Sequence, residues 1–337
     1  MPAMSPPRAL TNLAPLRMLI PPLTATAYKG SSGKVGVVGG CFEYTGAPFY
    51  AALSALKLGA DLSHVFCDEQ AAVPIKGYSP ELIVHGCLRS GVDGQAEREK
   101  QAEEIIKWFP ALSALVVGPG LGRDAALQAV AALVVERAIE LSLPCVLDAD
   151  GLRFVLDNPA AVRGAKWVVL TPNKPEYARL ITSLAPDKPA AANEEEEAEL
   201  FRLVARTLDG PTIVRKGPTD WLCDGAAEVV LENSEPGCLK RCGGQGDVLA
   251  GSIATMLAWA RAAEMQGRLP SNAPAPAPTL AAYTACMLTR RFARAAFARH
   301  KRSMTAPDLI DEIGEVFEDF CPAAGDGDED GRTSYVS

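Results

Sequence analysis

Arg241-Cys242-Gly243-Gly244-Gln245-Gly246-Asp247 is the stretch whose residue types and spacing most directly imply chemistry. Three glycines precede an aspartate, and from Val248 the sequence reads as an apolar helix to about Ala260. A glycine-rich turn entering a helix gathers unpaired backbone N–H groups and the positive end of the helix dipole at one point, which suits a phosphate. Asp247 would sit in the first helical turn beside that anion. It would serve either as a proton acceptor or as ordinary acidic compensation of the dipole.

Four further clusters carry candidate chemistry. Gly118-Pro119-Gly120-Leu121-Gly122-Arg123 contains glycines that would let the backbone approach a ligand, or that simply meet a positive-φ turn. Asp148-Ala149-Asp150-Gly151-Leu152 supplies two carboxylates that could serve Mg²⁺ directly or through water, or cap the helix that follows. In Thr171-Pro172-Asn173-Lys174-Pro175-Glu176, Asn173 and Glu176 have capping-box spacing. Lys216-Gly217-Pro218-Thr219-Asp220 is either a phosphate- or ribose-contacting loop or a plain hairpin turn.

The elements that must position these clusters are legible from apolar runs and breakers. Strands are expected at 34–40, 62–66, 82–84, 114–117, 145–148 and 167–170, with helices at 49–59, 97–108, 125–141 and 151–157. Such βα alternation implies an α/β fold with a mostly parallel sheet covered on both faces, whose ligands gather beyond the carboxyl ends of the strands. Each cluster above follows an expected strand. Residues 183–199, with four glutamates at 194–197, read as a solvated insertion or the exposed start of a helix. Runs at 212–215, 221–223 and 228–231 are expected to form an antiparallel extension, and 264–279 is a Pro-rich loop before helices at 280–299 and 306–320. Residues 1–27 are expected to be a flexible lead-in, 28–320 a single catalytic domain, and 321–337 a disordered acidic tail.

Composition excludes several functional classes. Among 337 residues, 48% are hydrophobic and 22% charged, as in ordinary globular proteins, and a net charge of −8 without a basic stripe argues against nucleic acid. The nine cysteines show no Cys-x-x-Cys pairing and read as reduced thiols, and three histidines offer no zinc cluster. No apolar run approaches the roughly 20 residues of a membrane span. Residues 1–42 contain four basic residues, Arg8, Arg17, Lys29 and Lys34, and no acidic residue, but are rich in proline, which argues against a presequence helix; a cytoplasmic location is expected, with a mitochondrial transit peptide as the alternative. The run Gly36 to Gly40 lacks the spacing of a dinucleotide fingerprint, which excludes a Rossmann dehydrogenase.

In combination the motifs resemble the ATP-dependent NAD(P)H-hydrate dehydratases, a branch of the ribokinase-like fold. The resemblance covers about residues 28–320 and rests on Lys29-Gly30-Ser31, Tyr44-Thr45-Gly46-Ala47-Pro48, Gly118 to Arg123, Asp148 to Leu152, Thr171 to Glu176, Lys216 to Asp220 and Cys242 to Asp247, in that order. One departure is Leu239-Lys240-Arg241, where the family often has proline and arginine.

The resemblance implies an enzyme that uses ATP to dehydrate hydrated NADH or NADPH, a nicotinamide-nucleotide repair activity. It implies that Gly120, Asn173, Lys174, Pro175, Glu176, Tyr177, Ala178 and Arg179 contact the hydrated nucleotide. ATP would be held by Lys216, Gly217, Pro218, Thr219 and Asp220, together with Gly237, Cys238, Leu239, Lys240, Arg241, Cys242, Gly243, Gly244, Gln245 and Gly246. Asp247 would face the substrate hydroxyl as general base. In related folds an Asn/Glu pair such as Asn173 and Glu176 faces a Mg–phosphate site, so Asp148, Asp150 and Glu176 are the candidate carboxylates for Mg²⁺. A same-fold kinase for a small alcohol and a silent nucleotide-binding scaffold are the rival readings, and a homo-oligomer is compatible with all three.

Overall fold

Strands buried on both faces of a sheet read as unbroken apolar runs, and those runs become nine strands of one sheet. They are β1 (Lys34–Val38), β2 (Leu62–Asp68), β3 (Ile83–Leu88), β4 (Ala114–Val117), β5 (Cys145–Leu147), β6 (Val168–Leu170), β7 (Thr212–Arg215), β8 (Asp220–Cys223) and β9 (Leu231–Asn233). The computed structural model describes residues 7–189, 191–225 and 230–322. The strand order is β3-β2-β1-β4-β5-β6-β7-β8-β9. Strands β1 to β7 pair in parallel, whereas β7–β8 and β8–β9 are antiparallel. The antiparallel extension is therefore two strands rather than three, because β7 belongs to the parallel sheet. The strand expected at 228–231 falls partly outside the described residues, and β9 begins at its last position.

Period-2 alternation distributes the strand side chains between two cores. Val35, Val37, Ala114, Val116, Val146, Val169 and Val214 enter one core, while Val38, Leu115, Val117, Leu147, Leu170 and Ile213 enter the other. Helices α1 (Ala14–Arg17), α2 (Gly46–Leu58) and α3 (Glu69–Tyr78) pack into the first; α4 (Gln95–Ile106), α5 (Ala125–Glu140), α6 (Arg153–Asp157), α7 (Lys174–Leu184) and α8 (Glu194–Leu208) cover the second. Helices α9 (Gln245–Met265), α10 (Ala277–His300), α11 (Ala306–Asp311) and α12 (Ile313–Phe320) complete the first layer.

Three elements were not settled by the sequence, and each has an identifiable physical reason. Helix α3 forms despite Pro74 because the Asp68 side chain accepts from the Gln70 N–H at 2.8 Å and Ala71, Ala72 and Ile75 are buried beneath it. The four glutamates at 194–197 are the first turn of α8, where they face the positive dipole end, and Phe201, Val204, Ala205 and Leu208 bury the rest of the helix. The lead-in read as flexible is docked over its described part: Leu16 and Leu19 are fully buried, and the Arg17 Nε donates to the Phe320 carbonyl at 2.9 Å. The acidic segment 325–331 lies outside the described residues.

Helices α2 and α9 cross at Gly251, where an added Cβ would fall directly onto the Ala51 carbonyl oxygen. That approach fixes the seat of α9, whose first turn carries Asp247. Gly251→Ala should lower stability by about 1–3 kcal/mol through overpacking. Gly314→Ala, in α12 with nothing within 4 Å of the new methyl, should be neutral or stabilising by up to about 1 kcal/mol through helix propensity. Thermal melting of the two variants checks the contrast.

Candidate active site

The sheet order reverses between β1 and β4, so the loops leaving their carboxyl ends diverge and open a crevice. Glycines keep these loops close. A Cβ on Gly118 (φ +121°) would strike the Asp148 carbonyl, and one on Gly39 would strike the Pro119 carbonyl. Gly120 (φ +63°) sits against Tyr44 and Pro48, with 2.7 Å from an added Cβ to the Tyr44 oxygen. The Gly118–Gly122 turn thus has a packing reason for each of these glycines, and Gly120 lies under the Tyr44–Pro48 loop.

Beyond β5, β6 and β7 the chain places Asp148, Thr171 and Lys216 side by side. Lys216 Nζ is 2.8 Å from Asp148 Oδ1, and the Thr171 hydroxyl donates to the same oxygen at 2.6 Å. Asp148 is buried, and burial opposes the Lys216 charge; nevertheless Asp148, Glu176 and Asp247 together raise the lysine above its ordinary value. Neither aspartate of the 148–150 pair caps a helix. Asp150 instead accepts from the Gly122 N–H at 2.9 Å, tying the two loops together. Burial raises its carboxyl above the usual range, with the Gly122 N–H acting in the other direction.

Helix α9 begins at Gln245, after Gly244 in a left-handed conformation (φ +93°), and among the described residues no side chain caps it. The uncapped N–H groups of its first turn are available to an anion. A Cβ on Gly246 would lie 3.7 Å from Lys216 Nζ and 3.9 Å from Asp148 Oδ2, so the glycine turn faces the Lys216–Asp148 pair. Asp247 stands at the same place. Burial, reinforced by the charge of Asp148, pushes its carboxyl up to about 8, with Lys216 and its own backbone N–H acting in the opposite direction. A base with that value is poised near neutral pH.

A cavity of about 640 Å³ opens from this point. Of the expected nucleotide contacts, Lys216, Gly217, Pro218, Asp220, Gly237, Cys238, Arg241, Cys242, Gln245 and Gly246 line it, and Asn173 joins them. Thr219, Leu239, Lys240, Gly243 and Gly244 do not; Leu239 is 93% exposed, and Gly244 is wedged against Ala306 and Tyr50. Asp220 lines the cavity but its carboxylate is taken up by the protein: Arg290 Nε lies at 2.6 Å, Asn233 Nδ2 at 3.1 Å and the Gly217 N–H at 3.3 Å. Arg290 also donates to the Pro218 and Gly217 carbonyls at 2.8 and 2.9 Å, clamping the β7–β8 turn onto α10.

Sequence reasoning missed the opposite wall: Leu249 of α9, Cys286, Thr289, Arg290 and Ala293 of α10, and Leu309 of α11. The only signal available was the helical periodicity of α10, which marks a buried face without saying that part of it lines a cavity. A second cavity of about 520 Å³, between the lead-in and Pro270–Pro274, is remote from these groups.

The Asn173–Arg179 segment divides. Asn173 and Glu176 form the capping box, with bonds of 2.8 and 3.0 Å, and burial raises the Glu176 carboxyl while Lys216 acts against that. Lys174, Pro175, Ala178 and Arg179 are exposed. Tyr177 is not available as a side-chain contact. It is buried in the core against Phe201 at 5.7 Å, and its hydroxyl has no hydrogen-bond partner.

For Mg²⁺, Asp148, Asp150 and Glu176 each commit one oxygen to the protein, and among the described residues no cluster of three or more His, Cys, Asp or Glu forms a cage. Such a set fits an ion that arrives with phosphate and keeps much of its water rather than one held by protein alone. Among the described residues no helix is long and apolar enough to cross a membrane, and no disulfide joins the nine cysteines.

A profile of the family described as NAD(P)H-hydrate dehydratase matches residues 35–315. The ATP-dependent (S)-NAD(P)H-hydrate dehydratase of Homo sapiens is 45% identical over 302 residues, covering 90% of this chain and 82% of the human protein. The Arabidopsis thaliana protein of the same name is 42% identical over 317 residues, covering 92% and 85%. Among solved structures, the ADP/ATP-dependent NAD(P)H-hydrate dehydratase of Bacillus subtilis, co-crystallised with ATP/Mg²⁺, superposes with TM-score 0.64 at 20% identity, covering 94% of this chain and all of that one. A ribokinase-like superfamily protein of Enterococcus faecalis gives 0.69 at 21% identity, covering 93% and 96%. The two structures establish the ribokinase-like fold.

The folded-state value of Asp247 lies above its ordinary 3.8, so its contribution to stability is full below that value and is lost as pH rises through about 8. Asp247→Asn removes the penalty of a buried carboxylate beside Asp148. Its melting temperature should therefore exceed that of the wild type by a few degrees at pH 8 and converge with it near pH 4. A melting series over that interval checks the sign; simple dipole compensation by Asp247 would give the reverse.

Proposed function

Because the chain belongs to the NAD(P)H-hydrate dehydratase family, we propose that it carries out the ATP-dependent dehydration of the (S)-form of hydrated NADH and NADPH through the site at the start of α9. The observation that carries the assignment of residues is the position of Asp247: a carboxyl with a pKa raised to about 8, in the first turn of an uncapped helix, beside Lys216 and next in sequence to Gly246, which lines the 640 Å³ cavity.

ATP occupies that cavity in this reading. Its base lies against the apolar wall of Leu249, Cys286, Ala293 and Leu309, and its phosphates reach the N–H groups of the Gly243–Gly246 turn and Lys216. The hydrated nicotinamide enters from the side of Gly120, Asn173 and Glu176, bringing its ring hydroxyl to Asp247. Asp247 takes the hydroxyl proton as that oxygen bonds to the γ-phosphorus and the bond to ADP breaks. Hydroxide is a poor leaving group and phosphate a good one. The ring nitrogen's electron pair expels phosphate, and loss of a proton from the adjacent carbon restores the dihydropyridine. The helix dipole, the N–H groups and Lys216 offset charge on the transferring phosphoryl group. Mg²⁺ bound with ATP would neutralise further phosphate charge, and Asp148, Asp150 and Glu176 are the carboxylates that could hold it, directly or through water. Nine free thiols support a reducing, cytoplasmic location.

Two measurements test this reading. Incubated with ATP, Mg²⁺ and hydrated NADH, the protein should release one ADP and one phosphate per restored 340 nm chromophore, with kcat/KM rising with pH through about 8. Asp247→Asn should lower turnover by about 10²–10⁴-fold. ADP formation without the chromophore would instead identify a kinase that stops at a phosphate ester.

Gly246→Val should fold, since the space at its Cβ is open to 3.7 Å. The branched side chain would nevertheless project into the phosphate position and raise the ATP Kd by about tenfold or more, a loss of roughly 1.4 kcal/mol. Calorimetric titration with ATP measures it.

A further inference from the structure

Asp148, Thr171 and Lys216 occupy the tips of three neighbouring parallel strands, β5, β6 and β7. Adjacent strands are about 4.8 Å apart, so a cation rooted on β7 must reach across β6 to meet a carboxylate on β5. Lys216 does so, placing Nζ 2.8 Å from Asp148 Oδ1. Thr171, on the strand being crossed, donates to the same oxygen at 2.6 Å. The other oxygen, Oδ2, and the lysine head both face Gly246, 3.9 and 3.7 Å from the position of a Cβ there. Asp148 is 3% exposed, so its carboxylate is largely removed from solvent while the ammonium it holds stands at the edge of the cavity.

An untethered lysine has a flexible four-carbon stem and a compact charge that no backbone feature aims. We propose that Asp148 is a positioning residue: it fixes the Lys216 ammonium at the glycine turn before nucleotide arrives, Thr171 orients its carboxylate, and it acts on ATP through Lys216 rather than as a ligand of Mg²⁺. The proposal rests on the reading of Lys216 as a phosphate contact. It assigns Asp148 to Lys216 in preference to the metal, because Oδ1 receives two donors and Oδ2 faces the glycine turn beside the ammonium. A pre-placed ammonium also avoids the ordering cost that a mobile one incurs on binding.

The experiment compares steady-state kinetics in ATP, hydrated NADH and free Mg²⁺ for wild type, Asp148→Asn, Lys216→Met, the double variant, Thr171→Val and Thr171→Ser, with thermal melting to verify folding. Asp148→Asn and Lys216→Met should each raise KM for ATP by about 10–100-fold, the usual effect of losing a group that orients a liganding side chain. KM for hydrated NADH and the Mg²⁺ activation midpoint should stay unchanged. The double variant should be no worse than Lys216→Met alone, since residues acting as one unit are not additive. Thr171→Val should raise KM for ATP by a smaller factor, and Thr171→Ser should restore it.

Unchanged KM for ATP in Lys216→Met would defeat the phosphate-contact reading itself. With Lys216→Met impaired, losses that multiply in the double variant, or a Mg²⁺ midpoint that moves in Asp148→Asn alone, would overturn the role given to Asp148. Should Asp148→Asn fail to fold, Thr171→Val carries the test, and an unchanged KM for ATP in that variant overturns the proposal equally.

Discussion

One ammonium shared among several carboxyl groups governs this site. Lys216 is raised by Asp148, Glu176 and Asp247 against the effect of its own burial, and it is the cation that faces all three. An ion pair taken out of water is maintained only where geometry and extra hydrogen bonds offset desolvation. Here Asp148 holds Nζ at 2.8 Å with Thr171 as a second donor. Asp247 stands beside this pair, and its burial, reinforced by the charge of Asp148, lifts its carboxyl to about 8 while Lys216 acts in the opposite direction. Two carboxyl groups in one place thus have different surroundings: Asp148 is bonded to Lys216 and Thr171, and Asp247 is raised by burial.

That electrostatic arrangement depends on backbones brought unusually close. Gly118 against Asp148, Gly39 against Pro119 and Gly251 against Ala51 each leave no room for a Cβ. The first two hold the loops after β1, β4 and β5 as one block, and the third seats α9 so that its first turn meets that block. Rigid placement matters for phosphoryl transfer, where positioning and fixed charge provide most of the acceleration. The cavity side is fastened separately. Arg290 joins Asp220 and the carbonyls of Gly217 and Pro218 to α10, and Glu235 is held by Arg291 and Arg294 at 3.0 and 2.8 Å. Pre-organisation of this kind lowers the ordering cost of binding.

The sequence disclosed what depends on local pattern. Apolar runs buried on both faces identified the parallel strands, glycines and polar residues after those runs marked the candidate edge of the sheet, and the Asn173/Glu176 spacing identified the capping box that the structure contains. Gly243 to Asp247 announced a helix N-terminus because the chemistry of such an end lies within one turn of contiguous chain. Local pattern gave no helix over Glu69–Tyr78, where burial of Ala71, Ala72 and Ile75 carries α3 through Pro74, and at Glu194–Glu197 it left an insertion or an exposed helix start open, of which the structure has the helix start.

Tertiary structure alone decided which of those residues meet. Tyr177 lies within a motif but turns into the core, because the helix carrying it needs an apolar contact with Phe201. Asp148 and Asp150, two positions apart, serve different partners, Lys216 and the Gly122 N–H, since one faces β7 and the other the loop after β4. The wall formed by Cys286, Thr289, Ala293 and Leu309 comes from helices far along the chain. The sequence by itself therefore determined the strands, the helix start and a set of candidate groups, all properties of short contiguous segments. Charge pairing, burial and the value of the Asp247 pKa were decided only when the sheet laid residues 148, 171, 216 and 247 side by side, because Coulomb energy and desolvation depend on distance in space and not on separation along the chain.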